Sequence, residues 1–116
     1  MQPLLPMRGY DADEAEILFV RRLSPEYAGL SEDLPGLTRA AIRADIAFMH
    51  ETGVLREDGS PGPNRYQEDL AILALTDALQ PLVGRGTSVP LLIRFISDFL
   101  DLQDEYLAFC GLVPDE

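Results

Sequence analysis

The stretch Leu34-Pro35-Gly36-Leu37-Thr38-Arg39-Ala40-Ala41-Ile42-Arg43, running on through Ala44-Asp45-Ile46-Ala47-Phe48-Met49-His50 to Glu51-Thr52-Gly53-Val54-Leu55-Arg56, decides the reading of the chain. Ile42, Ile46 and Met49 recur at spacings of four and three with Ala41 on the same side, which is the period of a helix with one apolar face. Thr38 is placed to cap that helix, Pro35-Gly36 to turn the chain ahead of it, and Gly53 to end it. Val54-Leu55-Arg56 is then a short apolar piece. Residues 57–64 hold two Gly and two Pro in eight positions and read as a loop, after which Arg65-Tyr66-Gln67 can return as a second short strand. Two strands of that length make a small hairpin that depends on packing against helices.

Working outward, residues 1–9 have no period and read as an extended lead-in. Asp11 or Asp13 can cap a first helix over about 12–23, whose stripe of Ile17, Leu18, Val20 and Leu23 is stopped by Ser24-Pro25. Ser24 and Pro25 also suit the start of a short second helix carrying Tyr27, Leu30 and Leu34, ending near Pro35-Gly36. On the other side, residues 68–83 are helical in propensity and apolar round most of their circumference, with Pro81 set to kink or end the helix. A connector, Gly84-Arg85-Gly86-Thr87, leads to Ser88 as cap and Pro90 in the first turn of a long last helix over about 89–110. One flank of that helix carries Arg94, Ser97, Asp98, Asp101, Asp104 and Glu105. The other carries Leu92, Phe95, Ile96, Phe99, Leu102, Tyr106 and Phe109.

Composition bounds the function. The chain has 116 residues, 47% hydrophobic and 25% charged, with a net charge of -11, so a single folded domain is expected over 1–116 rather than a disordered acidic segment. No uncharged run approaches the roughly 20 apolar residues a membrane span needs, and the N-terminus lacks the pattern of a signal peptide. A cytoplasmic, bacterial setting is expected. Cys110 and His50 are each the only one of their kind, which excludes an internal disulfide and a Cys/His-built metal site. No Gly-x-Ser-x-Gly, phosphate-loop or dinucleotide-binding string is present. No catalytic residue, metal or cofactor is therefore assigned, and the chain is not expected to be an enzyme. All nine basic residues are Arg.

From about Asp13 to Gln67 the order of helix, short helix, turn, longer helix, Gly-Val-Leu and Gly/Pro loop resembles the winged helix-turn-helix domain of bacterial transcription regulators. The phrases that carry the resemblance are Leu34–Arg43 and Glu51–Arg56, similar to the turn, recognition helix and first wing strand in regulators of the DeoR, GntR and Fur types. The fold it implies is mainly α: three helices plus a small β-wing over 13–67, followed by a C-terminal helical pair over 68–112. With Ile42, Ile46 and Met49 facing the core, the resemblance places Arg39, Ala40, Arg43 and Ala47 on the surface that meets duplex DNA. Small residues there let a helix approach the major groove, and Arg pairs with guanine or grips phosphate. Thr38 would present its backbone amide to a phosphate, and Arg56 and Arg65 would reach the flanking backbone from the wing.

Charge sorts along the chain in the same sense. Residues 36–66 are neutral, with four Arg against four acids, so the whole negative excess lies outside the implied reading unit. A chain at -11 nevertheless repels a polyanion at long range, and this acidity favours the alternative of an acidic helical adaptor that binds a protein partner through the same winged-helix-like surface, without DNA. The last helix adds Phe95, Phe99, Leu102, Tyr106 and Phe109, more apolar surface than a small winged domain needs, and these five are the expected homodimer contacts unless they close the monomer's own core. Arg39 and Arg43 also suit a plain solvated helix face, and residues 57–64 a plain connection. His50, Cys110 and the acids Asp98, Asp101, Asp104 and Glu105 are read as structural or solvated.

Overall fold

Ala15, Phe19, Leu23 and Tyr27 fall at intervals of four and are all buried, and this stripe sets the length of α1 (Ala12–Tyr27) in the computed structural model, which describes residues 9–83 and 86–110. The lead-in expected for residues 1–8, Gly84 and Arg85 of the expected connector, and the last residues of the 68–112 pair lie outside the described residues. Asp11 caps α1 by accepting the amides of Asp13 and Glu14, both at 3.1 Å. The helix runs through Ser24-Pro25, where the sequence suggested a stop. Proline costs a helix interior about 3 kcal/mol, but here it falls in the last turn, and the buried Tyr27, whose hydroxyl donates to Asp98, holds that turn in place. The expected short second helix is therefore absent. Its first residues finish α1 and the chain then crosses to the next helix over residues 28–33.

That next helix, α2 (Leu34–Glu51), is capped by Asp33, which accepts the Gly36 amide at 2.9 Å. Pro35 sits in its first turn, where a missing N–H leaves no bond unmade. The expected turn at Pro35-Gly36 is thus the start of the helix itself, and Thr38 is not its cap. Thr38 lies in the second turn, where amides bond within the helix, so it has no amide to offer a phosphate. It is fully buried, and its hydroxyl has no hydrogen-bond partner. Since an unsatisfied buried hydroxyl costs about 1–3 kcal/mol, Thr38→Val should stabilise the protein by about 1 kcal/mol, read as a higher urea midpoint at unchanged slope. A lower midpoint would show that the hydroxyl is satisfied.

Gly53 ends α2 in the left-handed region, φ +78°, as a residue just past a helix C-terminus commonly does. The chain then doubles back. The Arg56 amide donates to the Ser60 carbonyl (2.9 Å), Gly62 to Val54 (2.8 Å) and Asn64 to Gly53 (3.2 Å). The expected two-stranded wing does not form. There is one isolated bridge, Leu55 with Pro61, and no strand among the described residues. Pro61 and Pro63 supply no donors, so a ladder cannot propagate, and the return occurs over residues 60–64 rather than at Arg65-Tyr66-Gln67. Gly62 makes the loop close: a Cβ there would lie 2.3 Å from the Gly53 carbonyl oxygen.

The C-terminal half follows its expected outline. α3 (Glu68–Leu79) passes into a single 3-10 turn over Gln80–Leu82 at Pro81, and α4 (Val89–Phe109) begins at Ser88, whose hydroxyl accepts the Leu91 amide at 3.2 Å. The helices form a ring, α1 on α2, α2 on α3, α3 on α4 and α4 on α1, with α2 and α4 also meeting across the middle. Ile42, Ile46, Leu75, Leu79, Leu92, Phe95, Ile96 and Phe99 fill it. The fold is mainly α, and no described helix is long and apolar enough to cross a membrane.

This ring accounts for the apolar surplus of α4. Covered by α1, α3 and α2, the helix needs an apolar arc wider than one stripe, and Phe95, Phe99, Leu102 and Tyr106 point into the monomer's own core rather than toward a second copy. Phe19 meets Phe99 edge to face at 5.6 Å and Tyr27 meets Phe95 at 5.3 Å. Of the five expected dimer contacts only Phe109 is exposed, at 79%.

Candidate functional site

The arginines expected to meet DNA occupy the outer ridge of α2, but their environments differ. Arg39 is exposed and its Nε donates to the carboxylate of Glu16 on α1, which makes it a tie between two helices. Ala40 is half-buried and packs against the core, and Arg43 is half-buried. Arg56, beyond the helix, donates from Nε to the Pro61 carbonyl at 3.1 Å and so braces the loop it starts. Arg65 is exposed past the point where the loop has closed. Nine residues of α2, from Leu34 to Met49, are buried against its neighbours, so this helix is the centre of the fold more than a projecting element.

A second group, absent from the sequence expectations, lies inside. Asp45 is on the buried side of α2, 1% exposed, and its two carboxylate oxygens accept from Tyr66 Oη (2.6 Å) and Gln103 Nε2 (2.9 Å). Gln103, itself 1% exposed on α4, accepts from Tyr10 Oη. One carboxylate thus joins the segment before α1, the centre of α2, the approach to α3 and the middle of α4. Burial pushes the Asp45 carboxyl up to about 6, opposed by the hydrogen bonds from Tyr66 and Gln103 and assisted by the nearby Asp104. The phenols of Tyr10 and Tyr66 are likewise raised, chiefly by burial and then by the charge of Asp45. The other two tyrosines are held similarly, Tyr27 donating to Asp98 and Tyr106 donating to Glu14 at 2.8 Å. The sequence does carry the signal. Asp45 follows Thr38, Ala41 and Ile42 on the apolar face of its helix, and Gln103 sits between Phe99 and Tyr106 on the corresponding face of α4. This arrangement positions helices.

The third feature is open to solvent. Between α1 and α4 runs a groove of about 580 Å³ floored by Phe19, Leu102 and Tyr106 and edged by Leu18, Phe109, Glu14, Arg21, Arg22 and Glu105. Leu18 is 41% exposed and Phe109 79%, so neither serves the core. The groove continues along the same seam into a smaller hollow of about 260 Å³ bounded by Glu26, Tyr27, Asp98 and Asp101. Two exposed ion pairs straddle it, Arg22 with Glu105 at 3.9 Å and Arg94 with Glu26 at 2.8 Å. Exposed pairs of this kind are worth little and open readily. Leu18 lies on the outward side of the first helix and Phe109 at the end of the last, and neither element order nor period shows that the two line one groove. Among the described residues no group of His, Cys, Asp and Glu is arranged to hold a metal. No family model, no curated protein and no solved structure matches this chain.

Proposed function

We propose that the chain is a non-catalytic helical module, acting in the cytoplasm, that binds a protein partner through the groove between α1 and α4. The observation that carries this is a solvent-open apolar groove, about 580 Å³, edged by Leu18 and Phe109 on a compact acidic domain whose core is already closed without them. Concave apolar surface rimmed by polar groups is what helical binding modules offer a partner. The winged-helix reading draws its support from the ridge of Arg39 and Arg43 beside the hairpin-shaped loop. It is the weaker of the two, because Arg39 is engaged by Glu16, the loop lacks a strand pair, and a net charge of -11 opposes approach to a polyanion.

Affinity capture with the purified chain from an extract of its host cells, compared with a Leu18→Asp/Phe109→Asp double variant, tests the assignment. Wild type should retain a distinct protein that the variant releases, while labelled duplex DNA gives no anisotropy change even at about 50 mM salt. DNA binding that is lost on replacing Arg39 and Arg43 by Ala would instead establish the winged-helix reading and displace this one.

A further inference from the structure

We infer that the occupant of the α1–α4 groove is a cationic amphipathic helix, an inference that rests on the protein-binding reading above and assigns the partner its chemistry. Shape is the first argument. The groove and the hollow beyond it share Arg22, Leu102 and Glu105, so they form one trough along α1 from Glu14 to Tyr27. At 1.5 Å per residue this is roughly 20 Å, the length of about four helical turns. A trough between two packed helices is the natural seat for a third, which would lay side chains at i, i+3 or i+4 and i+7 against Leu18, Leu102 and Phe109.

Charge is the second argument. The trough is bounded by five carboxylates, Glu14, Glu26, Asp98, Asp101 and Glu105, against Arg21, Arg22 and Arg94, the partner of Glu26, and is net negative. The excess stands on α4, where Asp98, Asp101 and Glu105 outnumber Arg94, while Glu14 and Glu26 on α1 are matched by Arg21 and Arg22, so a helix in the trough meets net negative charge along its α4 flank. Lys or Arg side chains there can displace Arg22 from Glu105 at little cost, since both members of that pair are about two-thirds exposed. A second copy of the chain would bring its own negative excess to the same place, and an acidic helix would meet repulsion along α4.

Fluorescein-labelled 18-residue peptides serve as probes: one with a Leu stripe and Lys elsewhere, one with the same stripe and Glu elsewhere, and one with the Leu/Lys composition scrambled to remove the stripe. The Leu/Lys peptide should bind wild type at least about tenfold tighter than the Leu18→Asp/Phe109→Asp variant, with Leu73→Asp on α3 behaving as wild type. The variant is more acidic than wild type, so simple charge attraction predicts the opposite order. Equal binding to wild type and variant, or equal binding of the scrambled peptide, would overturn the groove as the site and the protein-binding assignment with it. Preference for the Leu/Glu peptide, still lost in the double variant, would overturn the cationic partner alone and leave the protein-binding assignment standing. Concentration-dependent dimerisation in sedimentation, abolished by the double variant, would overturn it in favour of a second copy.

Discussion

Phe99→Ala should lower the stability of this protein by about 3–5 kcal/mol, enough to leave a domain of ordinary marginal stability partly unfolded at room temperature. Phe99 has no exposed surface and its ring meets Phe19 edge to face, so truncation removes its transfer free energy and leaves a cavity between α1 and α4 that packed neighbours cannot refill. Phe109→Ala, three turns further along the same helix, should change stability by less than about 0.5 kcal/mol. Chemical denaturation at two protein concentrations well apart distinguishes core from interface. If these side chains close a monomer, the midpoints of both variants are independent of concentration. A wild-type midpoint that climbs with concentration and a Phe99→Ala variant that folds normally but sediments as a smaller species would mean that the aromatic face belongs to a dimer.

At Asp45 the expected results separate charge from hydrogen bonding. Asp45→Ala strands Tyr66 Oη and the fully buried Gln103 amide and should cost about 2–3 kcal/mol at pH 7. Asp45→Asn keeps an acceptor for Tyr66, and its new N–H₂ can face a flipped Gln103, whose own amide group then donates to Tyr10. It should be as stable as wild type or more so at pH 8, since it removes a charge whose burial is costly. The pH dependence carries the same information. With the carboxyl raised to about 6 from an ordinary 3.8, the folded chain takes up a proton below about pH 6 that the unfolded chain accepts only near pH 4. Stability should therefore rise as pH falls from 7 toward 4 and be lost again as pH climbs through 6, by an amount on the order of 3 kcal/mol for this group. Urea midpoints at pH 5 and pH 8 read this directly. Asp45→Asn should flatten most of the difference, and an equally steep variant would assign it to Asp104, which burial also raises, and to the general relief of negative charge.

Helix existence was largely legible from period and caps, because Ile42-Ile46-Met49, the Ser88 cap and the Pro81 break each reflect a local rule that tertiary structure did not override. The errors cluster where one residue type supports two local readings. Ser24-Pro25 and Pro35-Gly36 each suit a helix end and a helix start, and what decided between them was burial of Tyr27 and Leu37 against other elements. The winged-helix outline depended on the resulting count of helices and on a strand pair that Pro61 and Pro63 forbid. The site was less legible than the fold. Arg39 reads as a free surface cation until Glu16, 23 residues away, is seen to hold it. Asp45 enters the sequence reading only as one of the four acids that balance four Arg over residues 36–66, though its phase along α2 puts it with Ile42 and Ile46 inside. The groove depends on Leu18 and Phe109, from opposite ends of the chain, edging the same hollow, which no period encodes.

The tyrosines have an optical consequence. The chain has four tyrosines and no tryptophan, and every phenol donates to a carboxylate or to a side-chain amide linked to one. A carboxylate-bound phenol emits weakly in its excited state, and one raised by burial resists ionisation in alkali. Native protein should thus emit weakly in the ultraviolet and keep its tyrosinate absorbance low past pH 10, and loss of the helix ring should brighten the first signal and release the second. The bonds that anchor the helices to one another double as a built-in, label-free gauge of whether the molecule is folded.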